Sequence, residues 1–399
     1  MRMKLLTAAV AAAVCGLSLP AQADFALGEE TKGANIKFSD EADMTVRVRL
    51  QPRLDLGDVG QNATTREFYS ETDFFIRRIR LETEGHLTKA LKYNLTLSAD
   101  REDQNYRTRS STNTSTASTA DDQKFGVHYA YLDYTFADAA ALRFGQFKLP
   151  FSRISLSSSS KQLIVERPFS SEDAKGVFGD YEQTELMLHG KVANGVFRYA
   201  LALADGTDQN QAGTALANPE ADPLFIGRLE FSPPGWTEKG QSDAHLGKGR
   251  HLTFGVNAGV QDGIKSNGGA VETKRNLMGA DVSFHLGGFT AQAEYNTWKI
   301  GETGLTDIEP KGWYVQAGYF IPVVNIEPVA RYEVYNLDTN ATTDRENTYT
   351  TVGLNWYAKG HSMKVGVNWL KTEFGTGNLG TPAQQSKRDV YQIQTQLYF

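Results

Sequence analysis

Residues 391–399 read Tyr391-Gln392-Ile393-Gln394-Thr395-Gln396-Leu397-Tyr398-Phe399, and this stretch decides the fold class. Successive side chains of a β-strand point to opposite faces. The odd-numbered positions therefore share one mostly apolar face, and the even-numbered positions place three glutamines and Tyr398 on the other. The sequence predicts a two-sided strand that meets an apolar medium on one side and polar groups on the other.

The same alternation recurs along the rest of the chain. After Ala42 about sixteen segments show it, and each has about the length that a tilted strand needs to cross the hydrocarbon layer of a membrane. No later segment has 18 consecutive apolar residues, so membrane-spanning helices are not expected. The segments lie near 44–54, 74–84, 91–100, 126–136, 141–148, 183–192, 196–204, 225–232, 252–261, 277–285, 289–298, 312–320, 326–335, 348–357, 363–371 and 390–399.

The connections between these segments alternate between long and short. Residues 55–73 and 101–125 are long, whereas the connections at 87–90 and 137–140 are short. Membrane barrels pair long external loops with short periplasmic turns in this way, and a soluble propeller would instead repeat about every 40 residues. The chain is therefore predicted to form an all-β, transmembrane antiparallel β-barrel of about 16 strands. Residues 233–251 break the pattern, because a short turn is expected there and the sequence does not explain their length.

The N-terminus has the layout of a secretory signal peptide. Arg2 and Lys4 precede an apolar run, and Pro20-Ala21-Gln22-Ala23 supplies small residues at the cleavage positions. The predicted organisation is a signal peptide at 1–23, a short periplasmic segment at 24–43 and a barrel at 44–399 in the outer membrane of a Gram-negative bacterium. The only cysteine, Cys15, lies in the signal peptide, so the mature chain is expected to have no disulfide or cysteine metal site. With a net charge of −6, the precursor gives no reason to expect a nucleic-acid partner.

Charge on the first strands indicates which face lines the lumen. Arg47, Arg49 and Arg53 share one face of the first segment, and a lipid-facing arginine at mid-membrane costs roughly 2–4 kcal/mol. That face must therefore point inward, as must the face of the second segment that carries Arg78 and Arg80. Arg77 is out of register and is predicted to lie at the interface or in a bulge. Other basic residues predicted to face inward are Lys92, Arg143, Lys191, Arg198, Arg228, Arg331 and Lys364.

These inward charges have two interpretations. A basic stripe inside a low-dielectric wall focuses its field into the pore and favours anions. Alternatively, the cations pair with inward carboxylates in a structural network, because barrel lumens are polar in any case. The inward acidic candidates for such pairs are Glu82, Glu84, Asp100, Asp133, Glu230, Asp281, Glu294 and Glu333.

The third long connection, 149–182, is the candidate for a loop that enters the barrel. It carries Arg153, Lys161, Arg167 and Lys175 beside a serine run at 157–160. Loops of this length are commonly functional. We expect it to fold inward and narrow the pore; the alternative is a solvated external loop.

Several motifs resemble the phosphate-selective porin O and P family. The resemblance is strongest over 74–232 and rests on Phe75-Ile76-Arg77-Arg78-Ile79-Arg80-Leu81 with Gly85, Ala130-Tyr131-Leu132-Asp133-Tyr134, Arg143-Phe144-Gly145-Gln146-Phe147-Lys148-Leu149-Pro150-Phe151, Val165-Glu166-Arg167-Pro168 and Met187-Leu188-His189-Gly190. It implies a sixteen-stranded barrel, usually a homotrimer, with an arginine- and lysine-lined channel for phosphate or other anions. The family's constriction arginines are similar to Arg78 and Arg80, and its basic stripe to Arg47, Arg49 and Arg53. Lys148 and Arg167 match motif positions in or beside the inward loop.

The expected function is therefore passive, anion-selective diffusion across the outer membrane, with phosphate favoured. The alternatives are a porin for other small solutes, in which the lumen arginines are structural, and a non-conducting structural barrel. An enzyme is not expected, because the seven histidines are scattered and neither His-Glu-x-x-His nor Gly-x-Ser-x-Gly occurs. No catalytic residue, metal ligand or cofactor is predicted, and the expected partners are small anions and outer-membrane lipid. The candidate substrate-binding residues are Arg47, Arg49, Arg53, Arg78, Arg80, Lys92, Arg143, Lys148, Arg153 and Arg167.

Overall fold

The structure, a computed structural model, describes residues 33–61, 68–101, 125–207, 221–238, 241–266, 271–378 and 386–399. The signal peptide predicted at 1–23 lies outside the described residues. Among the residues that are described, no helix is both long enough and apolar enough to cross a membrane.

Within the described ranges, sixteen strands pair antiparallel with their neighbours and close into a barrel, as predicted. A seventeenth, β1 (Ala34–Lys37), is short and precedes them. The wall strands are β2 (Asp43–Gln61), β3 (Phe68–His86), β4 (Leu91–Ser98), β5 (Gly126–Ala137), β6 (Ala140–Lys148), β7 (Glu182–Val192), β8 (Phe197–Ala204), β9 (Leu224–Phe231), β10 (Arg250–Ser266), β11 (Val271–Leu286), β12 (Phe289–Glu302), β13 (Lys311–Tyr319), β14 (Ile326–Asn336), β15 (Glu346–Lys359), β16 (Met363–Glu373) and β17 (Lys387–Tyr398).

The barrel closes where the last strand meets the first wall strand. Ile393 of β17 lies opposite Leu54 of β2. The Val48 N–H donates to the Phe399 carbonyl at 2.7 Å, and the Phe399 N–H donates to the Val48 carbonyl at 3.0 Å. β1 pairs with the beginning of β2, with Ile36 opposite Met44, so it extends the wall at the end of the barrel where β17 stops. We call this the short-turn end, because the short connections also lie there.

The two faces of the wall are as the alternation predicts. On β17, Gln392, Gln394 and Gln396 are buried inside the barrel, whereas Tyr391 and Phe399 are exposed on the outside. The outer faces of the other strands carry many exposed leucine, valine and phenylalanine side chains, which suits contact with lipid. Polar side chains therefore fill the lumen, and any functional site must be built from them.

A bulge in β3 turns two consecutive arginines inward. Gln51 of β2 lies opposite Arg78 and Pro52 lies opposite Ile76, so Arg77 has no opposite residue in the ladder. Both Arg77 and Arg78 are only 2% exposed. Bulges re-aim side chains and accept a proline that cannot donate a ladder hydrogen bond. The prediction that Arg77 lies out of register is confirmed.

The connection between β6 and β7 enters the barrel, as predicted, and the alternative of a solvated external loop is wrong. We call residues 149–181 the inward loop; it contains two short helices, α1 (Arg153–Leu156) and α2 (Phe169–Lys175). Leu149, Phe151, Leu163 and Phe178 are fully buried within it. Leu149, Phe151 and Phe178 belong to one hydrophobic cluster and Leu163 to a second. These two apolar clusters inside a polar lumen give the loop a fixed shape.

Because the outer face of the wall contacts lipid, the free-energy cost of placing a charge on it should depend on the depth of that position in the membrane. Val352 faces outward near the middle of β15, and Val323 is 93% exposed in a short connection at the barrel end. Val352→Arg should lower the free energy of unfolding in lipid vesicles by roughly 2–4 kcal/mol, and Val323→Arg by about 0–1 kcal/mol. Denaturant titration of the refolded protein measures both values. Equal losses in the two variants would contradict the assigned orientation.

Candidate functional site in the barrel lumen

Two wall glutamates hold the inward loop on the side of β12 and β14. Glu294 of β12 accepts hydrogen bonds from the hydroxyls of Ser152 at 2.7 Å and Ser171 at 2.9 Å. Glu333 of β14 accepts from the Ser170 N–H at 2.7 Å and from its hydroxyl at 2.8 Å. Ser170 lies in the first turn of α2, where backbone N–H groups lack intrahelical acceptors. Both carboxylates therefore bind the loop.

Strands β2 and β17 hold the serine run of the inward loop. Nη1 of Arg49 donates to Oγ of Ser159 at 2.7 Å. Nε2 of Gln396 donates to the Ser160 carbonyl at 3.1 Å. The inner face of the closing strand is an uncharged row of glutamines. Its Gln396 amide group thus provides a hydrogen-bond donor for a backbone carbonyl of the loop.

Glu166 of the inward loop is the centre of an arginine cluster. Nε of Arg77 lies 2.7 Å from its Oε1 atom, Arg53 pairs with the same oxygen, and Nη2 of Arg78 lies 3.7 Å from Oε2. Arg331 donates to the Glu166 backbone carbonyl at 2.9 Å. One carboxylate thus draws three guanidinium groups of β2 and β3 against the loop, and the β3 bulge places Arg77 within its reach.

Two aspartates complete this cluster. Asp55 accepts from Nε of Arg53 at 2.6 Å, and Asp100 accepts from Nε of Arg80 at 3.1 Å. Each aspartate carboxylate therefore neutralises much of the charge of its arginine.

Three cavities lie between the inward loop and the short-turn end of the barrel. The largest, about 1170 Å³, extends from Leu156 of the loop to Ala193 in a short connection. A second, about 460 Å³, opens at the rim beside Asp43 and His86. The third, about 820 Å³, we call the basic cavity; its charged lining residues are Arg47, Arg49, Arg80, Lys148, Lys161, Lys248, Glu82 and Glu84.

The basic cavity has more positive than negative side chains. Six lysines or arginines line it against two glutamates. Glu82 pairs with Arg49 at 2.5 Å, and Glu84 pairs with Arg47 at 2.6 Å. Lys148 donates to the Ser155 backbone carbonyl at 2.7 Å, which leaves its charge without a carboxylate at that contact. The surplus charge of the cavity therefore comes mainly from its lysines.

A second segment enters the lumen from the short-turn end. The described residues 232–238 and 241–249 of the connection between β9 and β10 form what we call the inward turn. The Ala244 N–H donates to the carbonyl of Lys161 in the inward loop at 2.9 Å, and Nε2 of His361 lies 3.1 Å from the Ala244 carbonyl. Arg153 of the loop pairs with Glu238 of the turn at 2.8 Å. The unexplained length of this connection is therefore the length needed to reach the loop.

Three histidines, one each from the inward turn, β10 and β11, meet beside that turn. The ring of His245 lies 4.6 Å from that of His251 and 4.4 Å from that of His285, between ring centroids. Burial, with a smaller contribution from the neighbouring histidines, lowers the pKa of His245 to about 2, so its ring is neutral. Among the described residues, the set whose ligand atoms could share a metal ion is Glu238, His245 and His251.

The structure divides the ten predicted site residues into two groups. Arg47, Arg49, Arg80, Lys92, Arg143 and Lys148 line at least one of the three cavities. The other four do not line these cavities and lie buried against the inward loop or within it. They are Arg53, Arg78, Arg153 and Arg167.

Both interpretations of the inward charges describe part of the lumen. Arg53 and Arg78 act as structural cations, because their guanidinium groups bind Asp55, Gln51 or Glu166. The cavity lining has a separate surplus that these pairs do not cancel. Lys161 was named in the loop but not among the candidate substrate-binding residues, and Lys248 was not named at all. The anomalous length of residues 233–251 was the one available signal for Lys248.

Comparison with known proteins agrees with this architecture. Residues 46–399 match the family described as "Phosphate-selective porin O and P". An Aquifex aeolicus (strain VF5) protein, described only as uncharacterized, is 36% identical over 392 residues, which cover 93% of this chain and 91% of that protein.

Solved structures with low sequence identity share the fold. An anion-selective porin from Comamonas acidovorans has a TM-score of 0.61 and 12% identity over 90% of this chain and 100% of that chain. The trimer form of OmpT from Vibrio cholerae has a TM-score of 0.58 and 10% identity over the same shares. The outer-membrane channel DcaP of Acinetobacter baumannii has a TM-score of 0.58 and 11% identity over 92% of this chain and 100% of that chain.

The loop anchors predict a measurable change in local stability. Glu333→Ala removes the acceptor of two hydrogen bonds from Ser170, and hydrogen bonds to a charged group contribute about 1.5–3 kcal/mol each. We expect amide hydrogen exchange of the inward loop to speed up by about tenfold or more, measured by mass spectrometry. Glu346→Ala, at an exposed site on the neighbouring strand, is the control and should leave the loop unchanged. Unchanged exchange in Glu333→Ala would contradict the anchoring role.

Proposed function

This chain belongs to the phosphate-selective porin O and P family, and we propose that it forms an outer-membrane channel that passes anions in preference to cations and accepts phosphate. The solutes cross passively, driven by their own gradients. The observation that carries the proposal is the basic cavity, in which six lysines or arginines face two glutamates.

A small surplus of charge is enough to give selectivity. Two unit charges 4 Å apart interact by about 4 kcal/mol at an effective dielectric constant of about 20, and about 1.4 kcal/mol corresponds to a tenfold preference. Much of this energy is offset by loss of the ion's hydration. Even so, Lys148 and Lys161 at the cavity wall attract an anion and repel a cation. Both interactions add to the free-energy difference between the two ions, which is therefore about twice either interaction alone.

The groups around the basic cavity also suit the chemistry of phosphate. Three arginines, Arg47, Arg49 and Arg80, line the cavity, and guanidinium groups match phosphate oxygens better than single donors do. Lys148, Lys161 and the hydroxyl of Ser158 provide further donors on the same lining. Several moderate sites in sequence allow an ion to enter and leave, whereas one deep site would trap it.

The three cavities supply a route through this part of the lumen. The basic cavity and the largest cavity share Tyr129 and Lys148 among their lining residues. The largest cavity and the rim cavity share Arg143 and Lys191. An anion that leaves the basic cavity therefore meets another cation at each step toward the short-turn end, which we place on the periplasmic side.

The membrane partner and the oligomeric state are proposed from the outer surface of the barrel and from a related solved structure. The exposed apolar outer face is suited to outer-membrane lipid. The OmpT structure is described as a trimer form, and it supports a homotrimer for this chain as well. Each protomer contains its own complete lumen, so the proposed conduction does not depend on this assembly.

The second candidate is a porin for other small solutes in which the arginines serve structure. The ion pairs of Arg47, Arg49, Arg53 and Arg80 with carboxylates favour it, because a paired cation adds little net charge. The two candidates differ in one observable property. A structural network predicts a channel without anion preference, whereas the lysine surplus predicts a clear one.

The first test of the proposal is ion selectivity in planar bilayers under a salt gradient. The wild-type reversal potential should have the sign of an anion-selective pore. Lys148→Gln combined with Lys161→Gln should move it toward zero, because two charges without a carboxylate partner in the cavity are removed. Lys89→Gln is the control, since Lys89 is exposed in a short connection at the barrel rim. A cation-selective wild type would overturn the proposal.

The second test addresses phosphate itself. Phosphate added to a chloride solution should reduce the chloride current in a saturable way, because it occupies the basic cavity for longer than chloride does. In Lys148→Gln with Lys161→Gln the concentration for half reduction should rise by about tenfold, which corresponds to about 1.4 kcal/mol. Sulfate at equal ionic strength controls for charge. A chloride current that phosphate and sulfate reduce equally would leave anion preference in place but refute specificity for phosphate.

A further inference from the structure

The histidine cluster beside the inward turn is not used in the anion passage proposed above. His245 belongs to the turn, while His251 and His285 begin β10 and end β11. His251 and His285 are direct partners in the ladder of these two strands, which fixes their distance. Nε2 of His245 lies 3.8 Å from Oε1 of Glu238, the acidic residue of the same turn.

We propose that Glu238, His245 and His251 bind one divalent transition-metal ion, for which Zn²⁺ is the best fit. Their ligand atoms all lie within 4.8 Å of one another. A tetrahedral zinc ion with bonds of about 2.0–2.2 Å places its ligand atoms roughly 3.4 Å apart. Side-chain adjustments of about 1 Å would therefore complete the site, without movement of a wall strand.

The hydrogen bonds of the histidine ring nitrogens support this assignment. Nε2 of His245 is buried and has no hydrogen-bond partner among the described residues, an arrangement that is costly unless something binds it. Nε2 of His251 lies 2.8 Å from Oγ of Ser283, and such outer hydrogen bonds commonly fix the rings of ligating histidines. His285 contacts Thr290 and the Lys248 carbonyl through its two nitrogens, so it packs against the site and is not counted as a ligand.

The donor types select the class of metal. Two imidazole nitrogens and one carboxylate oxygen suit zinc, copper or nickel, whereas magnesium and calcium prefer sites made only of oxygen. Two histidines with one glutamate also form the ligand set of zinc sites that keep a fourth, open position. His245 lines the basic cavity, so that position is accessible from the lumen.

Arg153 is the main feature that opposes metal binding. Its Nη2 atom lies 2.8 Å and 3.0 Å from the two oxygens of Glu238, and its charge repels a cation. Glu238 can still share its carboxylate, because one oxygen can bind the ion while the other keeps the arginine. The nitrogen bonds of the two histidines do not depend on charge attraction. We therefore expect an affinity below that of sites without a neighbouring arginine.

A bound ion would fasten the inward turn to the wall. Glu238 and His245 belong to the turn and His251 belongs to β10, so the metal would hold the middle of the turn against the strand that follows it. The position is directly beside the basic cavity. The proposal does not rest on the anion selectivity of the channel, and either one can fail without the other.

The test is a titration of the purified, tag-free full-length protein with Co²⁺, which replaces Zn²⁺ and absorbs visible light when its coordination is tetrahedral. We expect one Co²⁺ per chain, displaced by Zn²⁺. His245→Ala and His251→Ala should each weaken binding by about tenfold or more. His86→Ala and His189→Ala are matched controls, because both histidines lie near the same end of the barrel beside an aspartate.

Two results would overturn the metal site. One is the absence of stoichiometric Co²⁺ binding to the wild-type protein, and the other is equal binding by the wild type and by both His245→Ala and His251→Ala. If an alanine variant fails to fold, His245→Asn and His251→Gln replace it, since they keep polar side chains of similar size. Metal-free conductance of each variant, measured separately, shows that the barrel is intact.

Discussion

The structure depends on one constraint: inside a lipid bilayer, every backbone N–H and C=O group must find a partner within the protein. A closed antiparallel ring satisfies this, and the seam between β17 and β2 completes it. Closure gives each strand one face toward lipid and one toward the lumen. Because lipid rejects charge, the lysines and arginines of the wall strands have to point inward. The inward placement of charged side chains therefore follows from the need to pair every backbone N–H and C=O group. It does not by itself specify a solute.

The inward-facing acidic and basic side chains then have to be paired with one another or with polar groups of the lumen. Glu294 and Glu333 bind hydroxyl and N–H groups of the inward loop, so their charge is used in holding it. Glu166 approaches from the loop side and neutralises the arginine cluster of β2 and β3. Together these contacts keep Glu166, Glu294 and Glu333 out of the lining of the basic cavity. The inward acids, which the sequence offers as pairing partners for the inward cations, thus help to position the loop that shapes the cavity.

The alternation of side chains predicts all sixteen wall strands, because it depends on each strand separately and on nothing distant. The β3 bulge at Arg77 was also predictable, since it is a local break in the same pattern. Contacts that join distant segments were not. Arg53 and Glu166 are 113 residues apart. Alternation states that Arg49 and Arg53 face inward, but not that Arg49 meets Ser159 of the loop and Arg53 meets Glu166. The inward turn shows the same limit. Its length was anomalous, but only the ladder that pairs His251 with His285 reveals what surrounds it.

The effect of the many lumen arginines on a passing ion depends on whether each arginine is paired with a carboxylate. An arginine held by a carboxylate on the same wall acts on a distant ion as a dipole, whose field declines faster with distance than that of a charge. Arg53 and Arg80, each in contact with an aspartate, therefore contribute less to the field in the lumen than their number suggests. Lys148 donates to a backbone carbonyl and not to a carboxylate at that contact, so more of its charge acts across the cavity. In the proposed channel, the abundant arginines build the constriction, and a few lysines determine the sign of the ion that passes.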